Sequence, residues 1–508
     1  MMARGLYTTL LTLATPLALA RLGWKGRANP AYRERIPERF GFIPRLPARP
    51  RLWVHAVSVG EVIAAAPLIR AWRARHPDWA VLLTTTTPTG AAQVRRLFGE
   101  DVEHLYLPYD LPGAVRRFFA RTRPSLGVIM ETELWPNLAA EGAQRGIPLV
   151  LANARLSERS MRGYARVRPL VRNTLACFAL IAARGPEDAA RFIALGAPPK
   201  RVEALGNLKF DLELAPEVVL RGRQWRTLFG TERPVWIAAS THPGEETQVL
   251  EAHRRVLAEH PHALLLLAPR HPERVGEVVR LIEAAGLGYV LRSGLPPLPQ
   301  PLPPQGGGGR FEGEVARLIE TANSHHTACS RIHALSHSTP FKGEELSSPP
   351  PSGGRGGGRG GAPEPAPAAM DQAAQVLVID TLGELMDFYA ASDLAFVGGS
   401  LVAHGGHNPL EPAALGLPII SGPQVANFAE VYAAMFEAKA ALKVEDAQGL
   451  GQAVAALLDD ADERQTLGAA ARAWLETHRG ALGRLLERLE TLAASPHRPE
   501  AGLLQPRS

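Results

Sequence analysis

The stretch from Phe396 to Pro423 reads FVGGSLVAHGGHNPLEPAALGLPIISGP. Its two apolar ends favour strands. Between them lie a loop of glycines, two histidines and an Asn-Pro, and then the opening turns of a helix with Pro409 near its first position. Glycine before a helix lets the backbone approach a ligand, and the free N–H groups at a helix start can bind an anion. The stretch therefore predicts a strand-loop-helix unit that cradles a phosphate or a nucleotide. A glycine-rich turn that only reverses the chain is the alternative.

Short apolar runs of the same kind alternate with helical stretches along most of the chain. The first half contains LWVHAV, AVLLTT, LGVIM, PLVLAN, FALIAA and VEALG. The pattern then restarts with VWIAAS, ALLLLAP, YVLR, QVLVID, LAFVGG and PIIS. Strands that alternate with helices are typical of parallel sheets built from βαβ units. The sequence therefore predicts an α/β protein with two Rossmann-like domains facing a cleft.

The same pattern gives the domain limits. A segment rich in proline and glycine, 294–369, cannot bury a core and is interpreted as a flexible insertion in the second domain. The other predicted parts are an amino-terminal anchor or interfacial helix over 1–24, an amino-terminal domain over 25–206, a linker over 207–233, a carboxyl-terminal domain over 234–490 and a disordered tail over 491–508.

Composition narrows the class of protein. The 508 residues are 46% hydrophobic and 21% charged, which is typical of globular domains, and this length favours two of them. Two cysteines are too few for a disulfide framework, which fits a reducing compartment. A formal charge of +6 suits anionic partners. Nucleic acid is not predicted among them, because the sequence has no aromatic-interleaved basic patch and no zinc-finger spacing.

The amino terminus carries an apolar run over 6–20, somewhat short of the roughly 20 residues that span a bilayer. It ends in Ala-Leu-Ala, so a cleaved signal peptide is an alternative. Six cations follow, and positive charge favours the cytoplasmic side of a membrane: Arg21, Lys25, Arg27, Arg33, Arg35 and Arg39. We predict a helix that anchors the protein at the cytoplasmic face of the inner membrane, with the last three arginines on lipid phosphates.

Four residues of the first half are candidates for a part in the chemistry. Glu61 opens a helix after the strand LWVHAV, where the helix dipole favours an ionised carboxylate and hence a base. Glu131 and Glu133 follow the strand LGVIM, at the edge where open α/β sheets bind ligands, although Glu133 also fits a helix cap. Lys209 follows the last strand of this half. The simpler alternatives are that Glu61 is an ordinary acidic residue stabilising the start of its helix and that Lys209 is a solvated linker lysine.

The second half offers groups for a nucleotide. Arg270 directly follows the strand ALLLLAP, where its guanidinium can grip a phosphate with two hydrogen bonds. Glu384 and Glu411 each stand where a helix starts and can accept hydrogen bonds from ribose hydroxyls. We predict no metal site, because His404 and His407 lack a nearby carboxylate or cysteine partner.

Ten motifs in order resemble the 3-deoxy-D-manno-octulosonic acid (Kdo) transferase family, over nearly Leu6 to Leu489. They are HAVSVGE, TTTTPTGAAQ, YLPYDLP, METELWPN, ANARLSERS, GNLKFD, STHPGEE, APRHPER, DTLGEL and AFVGGSLVAHGGHNPLEPAA. The resemblance implies a GT-B glycosyltransferase with no cofactor that transfers Kdo, with inversion, from CMP-Kdo to the lipid A precursor (lipid IVA) in lipopolysaccharide inner-core biosynthesis.

The resemblance also implies roles for residues of this sequence. Glu61 matches the general base, and Glu131 and Lys209 match positions that stabilise the transition state. The matched CMP-binding positions are Pro269, Arg270, Leu382, Gly383, Glu384, Asn408, Pro409, Leu410 and Glu411. The alternatives are a GT-B enzyme with a UDP-sugar donor, a UDP-sugar epimerase of the same fold, and a non-catalytic membrane-bound nucleotide-binding scaffold.

Overall fold

The computed structural model describes residues 2–212, 214–298 and 373–494. Most of the predicted insertion over 294–369 and the predicted tail over 491–508 therefore lies outside the described residues. The described chain forms two compact units. The first contains the residues up to 212 and those from Glu476 onward, and the second contains Leu214–Leu475.

The first unit is built on a seven-stranded parallel sheet in the order β3-β2-β1-β4-β5-β6-β7. Its strands are β1 Arg51–His55, β2 Ala80–Thr85, β3 Glu103–Tyr106, β4 Leu126–Met130, β5 Leu149–Ala154, β6 Leu180–Ala183 and β7 Val202–Ala204. Its helices are α1 Met2–Ala28, α2 Val59–Arg75, α3 Pro88–Phe98, α4 Pro112–Thr122, α5 Pro136–Gln144, α6 Glu158–Ala165, α7 Arg168–Leu175 and α8 Pro186–Ala194.

The second unit repeats this plan with the order β10-β11-β9-β8-β12-β13-β14. The strands are β8 Val235–Thr241, β9 Leu264–Pro269, β10 Tyr289–Leu291, β11 Val376–Val378, β12 Leu394–Val397, β13 Ile419–Ser421 and β14 Leu442–Lys443. The helices are α9 Pro216–Phe229, α10 Glu245–Glu259, α11 Val275–Ala284, α12 Leu385–Ala390, α13 Leu410–Ala414, α14 Ala429–Glu437, α15 Ala447–Asp459 and α16 Ala461–His478.

Both sheets are apolar on both faces, as expected for parallel strands covered by helices. In the first unit, Leu52 and Val54 of β1 point into one cluster of buried side chains and Trp53 into the other. In the second unit, Trp236 of β8 points into one cluster of buried side chains and Ile237 into the other. The prediction of two Rossmann-like α/β domains is confirmed.

Strand order reverses once in each sheet, between β1 and β4 and between β8 and β12. Ligands of open α/β sheets bind at the carboxyl ends of the strands beside such a reversal. The pairing register also shifts near this edge in each unit, between Leu151 and Ala154 and between Ala239 and Thr241. The residues at these bulges, Asn153 and Ser240, have φ of 54° and 60°. Strained backbone of this kind is concentrated at functional sites.

A final helix, α17 Ala481–Ala494, packs on the first unit. Its buried face, with Leu482, Leu485 and Leu489, joins the core cluster of β1 and α2. The sequence analysis grouped this segment with the second domain because it follows that domain along the chain, and its packing places it with the first unit. The other domain limits stay predictions.

Helix α1 has one face on the first unit and one in solvent. The Thr8 hydroxyl donates to Asn137 Oδ1 over 3.2 Å, and the Asn137 amide donates back over 3.0 Å. A row of large apolar side chains is exposed: Met2, Leu6, Leu10, Leu13, Leu17 and Trp24. Their spacing places them on one face of the helix. No helix in the described part of the chain is long and apolar enough to cross a membrane.

Two of the arginines expected on lipid phosphates make hydrogen bonds within the first unit. Arg39 is 4% exposed and donates to the carbonyl of Thr86. Arg35 binds Glu38 over 2.6 Å and the carbonyl of His104 over 2.8 Å. The hypothesis is therefore wrong for Arg39, whose guanidinium is buried in the first unit. The side chain of Arg35 is 26% exposed, so its contact with lipid phosphates stays a prediction, as does that of Arg33.

Candidate active site

Glu61 lies in the first turn of α2, just beyond the carboxyl end of β1. Its Oε2 accepts the backbone N–H of Val57 over 2.8 Å, and its Oε1 accepts the Ser58 hydroxyl over 3.2 Å. The helix-stabilising role considered as an alternative is thus present. Burial nevertheless raises the pKa of Glu61, whereas the helix dipole was expected to hold it ionised. A carboxylate with a raised pKa is a stronger base than one in water.

Glu131 follows β4, on the other side of the strand reversal. It has a φ of 57°, and its N–H donates to the carbonyl of Ala152 over 2.8 Å. One carboxylate oxygen lies 3.2 Å from Arg184 Nη2 and 4.0 Å from Lys209 Nζ. Burial lowers the pKa of Lys209, and Arg184 lowers it further, whereas Glu131 and Glu61 act to raise it. The structure thus brings the three predicted catalytic residues together at one edge of the first sheet.

A second carboxylate stands close to Glu61. Burial raises the pKa of Glu133 to about 7, and the charge of Glu61 adds to the shift. Neighbouring carboxyl groups with pKa values pushed apart divide into one that ionises first and one that keeps its proton. Here the pKa of about 7 means that Glu133 holds its proton up to near neutral pH. The sequence analysis gave Glu133 the simpler role of a helix cap.

In the second unit a buried carboxylate organises the loop after β12. Glu245 is 0% exposed and stands at the start of α10. One of its oxygens accepts the N–H groups of Gly399 and His242 over 2.6 and 3.2 Å, and the other accepts those of Ser400 and Leu401 over 3.0 and 2.9 Å. Four charge-assisted hydrogen bonds therefore fix this loop to the end of β8.

Arg270 follows Pro269, the last residue of β9. Its N–H donates to the carbonyl of Thr241 over 3.0 Å, which fixes the backbone at the bulge of β8. The side chain is exposed, and among the described residues it makes no side-chain hydrogen bond or ion pair. A guanidinium in this position is available for an anionic ligand.

The predicted segment 408–411 lies near Arg270. Asn408 Oδ1 accepts the N–H of Leu410 over 3.2 Å, and its amide donates to Glu411 Oε1 over 3.3 Å. Burial raises the pKa of Glu411, while Asn408 and Arg270 act to lower it. Pro409 is the N-cap of α13, just outside the helix rather than at its first position. This helix has five residues, so the cradle depends on side chains and loop backbone more than on a helix dipole.

The third predicted nucleotide segment follows β11, beside β9 in the sheet. Leu382 is 71% exposed and Gly383 has a φ of 91°. Glu384 accepts from Arg292 Nη2 over 2.8 Å and from the hydroxyl of Thr381. Its carboxylate is thus already engaged by side chains of its own unit, whereas ribose hydroxyls were expected as its partners.

Some residues of these sites were not singled out by sequence reasoning. Arg184 lies in none of the motifs found in the sequence. Its position beside Glu131 depends on the pairing of β5 with β6. Glu245 is one of two successive glutamates in THPGEE, and nothing in the sequence shows that it is buried. Within residues 2–212, 214–298 and 373–494, no group of three or more His, Cys, Asp or Glu side chains is arranged to hold a metal ion. The absence of a metal requirement stays a prediction.

Comparison with known proteins identifies the family. A family model described as 3-Deoxy-D-manno-octulosonic-acid transferase (kdotransferase) matches residues 34–212, and one described as Glycosyl transferases group 1 matches 368–474. The chain is 37% identical to the 3-deoxy-D-manno-octulosonic acid transferase of Haemophilus influenzae, over 96% of this chain and 98% of the relative. The chain belongs to the Kdo transferase family.

Other similarities agree with this family. The enzyme of the same name from Bordetella pertussis is 36% identical, over 96% of this chain and 99% of the relative. A UDP-GlcNAc 2-epimerase from Neisseria meningitidis shares the fold, with a TM-score of 0.51 at 11% identity over 87% of this chain and all of that one. The predicted GT-B class and the prediction of a Kdo-transferring glycosyltransferase are therefore confirmed.

Proposed function

We propose that this Kdo transferase takes its sugar from CMP-Kdo and transfers it, with inversion at the anomeric carbon, to a hydroxyl of the lipid A precursor lipid IVA. The observation that carries the proposal is the cluster of Glu61, Glu131 and Lys209 at the strand reversal of the first sheet. It supplies a base and fixed charges of both signs where the fold places ligands.

In the proposed reaction Glu61 accepts the proton of the acceptor hydroxyl. The acceptor oxygen then bonds to the anomeric carbon of Kdo while the bond from that carbon to the phosphate oxygen breaks. Positive charge develops on the sugar ring, and a carboxylate such as Glu131 stabilises it. Lys209 and Arg184 hold that carboxylate in place, at 4.0 and 3.2 Å from its oxygen.

The second unit is proposed to bind CMP. The leaving group carries a single phosphate, and the exposed guanidinium of Arg270 matches its charge. Asn408 and Glu411 offer an amide and a carboxylate beside it, joined by a 3.3 Å hydrogen bond. One arginine and the loop amides can balance a monophosphate, which is why no divalent ion is included in the proposal.

The decisive experiment supplies substrates directly. Purified protein is incubated with CMP-Kdo and tetra-acylated lipid A precursor, and the product is weighed by mass spectrometry. We expect the acceptor mass to rise by one or more Kdo residues, with inhibition by CMP and none by equal concentrations of UDP. Inhibition by UDP alone, with no Kdo-bearing product, would support the UDP-sugar alternative and contradict the proposal.

We also propose that α1 attaches the protein to the cytoplasmic face of the inner membrane by lying on its surface. Its solvent-facing row of apolar side chains, including Leu13 and Leu17, is 59–93% exposed. Apolar area of this kind binds at the boundary between headgroups and acyl chains. In a sedimentation assay with anionic lipid vesicles, the double variant Leu13→Asp with Leu17→Asp should stay in the supernatant. Thr12→Asp, away from that row, should sediment like the unchanged protein; equal sedimentation of both variants refutes the attachment.

A further inference from the structure

A cluster of histidines lies at the carboxyl edge of the second sheet. His242 follows β8, and its Nε2 lies 2.8 Å from the Nε2 of His407 in the loop after β12. The two rings are nearly parallel, with centroids 5.0 Å apart. The ring of His404 stacks on that of His242 with 4.0 Å between the centroids, and the ring of His271 is edge-on to that of His242 with 6.0 Å between the centroids. None of these four histidines has a part in the transfer as described above.

Two ring nitrogens 2.8 Å apart share one hydrogen, so one ring donates and the other accepts. A second proton would turn both nitrogens into donors that point at each other. The pair therefore holds a single hydrogen until an anion arrives that can accept from both rings. Because the 2.8 Å contact leaves no room for an anion, binding must turn the rings apart, after which each ring can donate to one oxygen of the anion.

Contacts with neighbouring residues fix the positions of His242 and His407. His242 is 8% exposed, and its backbone N–H is fixed by Glu245 over 3.2 Å. The backbone carbonyl of His407 accepts the hydroxyl of Tyr432 over 3.2 Å. Gly399 has a φ of 69°, and a Cβ there would lie 2.9 Å from the His407 ring and 3.3 Å from the His242 ring. A side chain at Gly399 would therefore push into the place where the rings meet.

The charges around the pair favour an anion. Arg270 and Arg274 act electrostatically on His242, as do His404 and His271. The nearby carboxylates are engaged elsewhere: Glu245 holds four backbone N–H groups, Glu246 binds Arg274 over 2.7 Å, and Glu411 accepts from Asn408. Burial lowers the pKa of both His242 and His407 to about 4, and the neighbouring cations add to this.

The proposed donor carries two anionic groups attached to one carbon atom, the anomeric carbon of the sugar. The anomeric carbon of a CMP-linked ulosonic acid bears both the phosphate oxygen and a carboxylate. A site for such a donor needs two anion-binding positions side by side, and a site for an ordinary nucleotide sugar needs one. Arg270 provides the first position in this unit. The pair lies close to it, because the Arg270 N–H donates to the carbonyl of Thr241, the residue before His242, and the ring of His271, the residue after Arg270, has its centroid 6.0 Å from that of His242.

We infer that His242 and His407 bind the carboxylate of the donor sugar while Arg270 binds its phosphate, an inference that rests on the proposed function. Each ring donates to one carboxylate oxygen. In the free pair one neutral ring carries its hydrogen on Nε2 and the other on Nδ1; on binding, the second ring changes tautomer through exchange with solvent, so both Nε2 atoms donate and the net proton count is unchanged. These residues thereby select an ulosonic acid donor over a nucleotide sugar without a carboxylate.

The test compares CMP-Kdo, which carries the carboxylate, with CMP, which does not. His407→Gln and His242→Gln should raise the KM for CMP-Kdo about tenfold to a hundredfold, the loss typical of a charge-assisted hydrogen bond. The Kd for CMP should change less than about twofold. The matched control is His262→Gln, a histidine of the same unit whose side chain is exposed and has no part in the proposed site. It should leave both values unchanged.

A parallel loss of CMP affinity in the variants, or an unaltered KM, overturns the inference. Absence of turnover with CMP-Kdo in the unchanged protein would instead contradict the proposed function.

Discussion

Replacing Glu245 by glutamine should destabilise the second unit, because one of the two side-chain oxygens becomes an NH₂ group that cannot accept a hydrogen bond. Each Glu245 oxygen accepts two backbone N–H groups, at 2.6 and 3.2 Å for one and at 3.0 and 2.9 Å for the other. Whichever way the glutamine amide turns, its NH₂ faces two N–H donors and leaves both without an acceptor. A buried unsatisfied donor costs about 1–3 kcal/mol, so the two together cost about 2–6 kcal/mol.

This loss is large beside the total stability of about 5–15 kcal/mol that is typical of a domain. Thermal unfolding of Glu245→Gln should show a midpoint for this unit lowered by at least about 4 °C. The matched control is Glu251→Gln on the same helix, whose carboxylate is 56% exposed and pairs with Arg255 over 3.1 Å. It should cost less than about 1 kcal/mol. Equal midpoints for the two variants would refute the role assigned to Glu245.

Three further outcomes are expected. Lys209→Met should lower kcat at least about tenfold with the CMP Kd unchanged, because it frees Glu131 to move; equal loss of CMP binding contradicts this. Gly399→Ala should weaken CMP-Kdo binding, since its φ of 69° and a Cβ 2.9 Å from the His407 ring force the loop to shift; an unchanged KM argues against it. Burial raises the pKa of Glu61 above 4.5, the ordinary value for glutamate, so kcat should begin to fall above pH 4.5 as the pH is lowered. A decrease in kcat that begins only at or below pH 4.5 contradicts the proton-acceptor role.

Much of the fold follows from local patterns. Runs such as LGVIM and ALLLLAP are apolar at every position, as buried parallel strands must be, and they form β4 and β9. The strand β3, with the sequence EHLY, was missed because it is an edge strand whose first two residues are only half-buried. The strand β14 was missed because two residues carry no readable pattern.

The site was predictable where a residue directly follows a strand. Glu131 and Arg270 directly follow their strands and Glu61 opens the helix after β1, and in each sheet the parallel topology brings such positions to one edge. The His242 and His407 pair was not predictable, because the two residues are 165 positions apart and their contact depends on the glycine turn at 399. The location of α17 also escaped prediction, since an apolar helix face does not specify which sheet it covers.

Transfer as proposed depends on Glu61 removing the proton from the acceptor hydroxyl. Single-turnover transfer of Kdo from CMP-Kdo to lipid A precursor should be measured for the unchanged protein, for Glu61→Gln and for Glu141→Gln, a surface variant of the same unit. Glu61→Gln should be slower by about 10²–10⁴-fold while it remains folded and binds CMP as before, and Glu141→Gln should keep the full rate. A folded Glu61→Gln protein that transfers Kdo at the full rate would contradict the proposed role of Glu61.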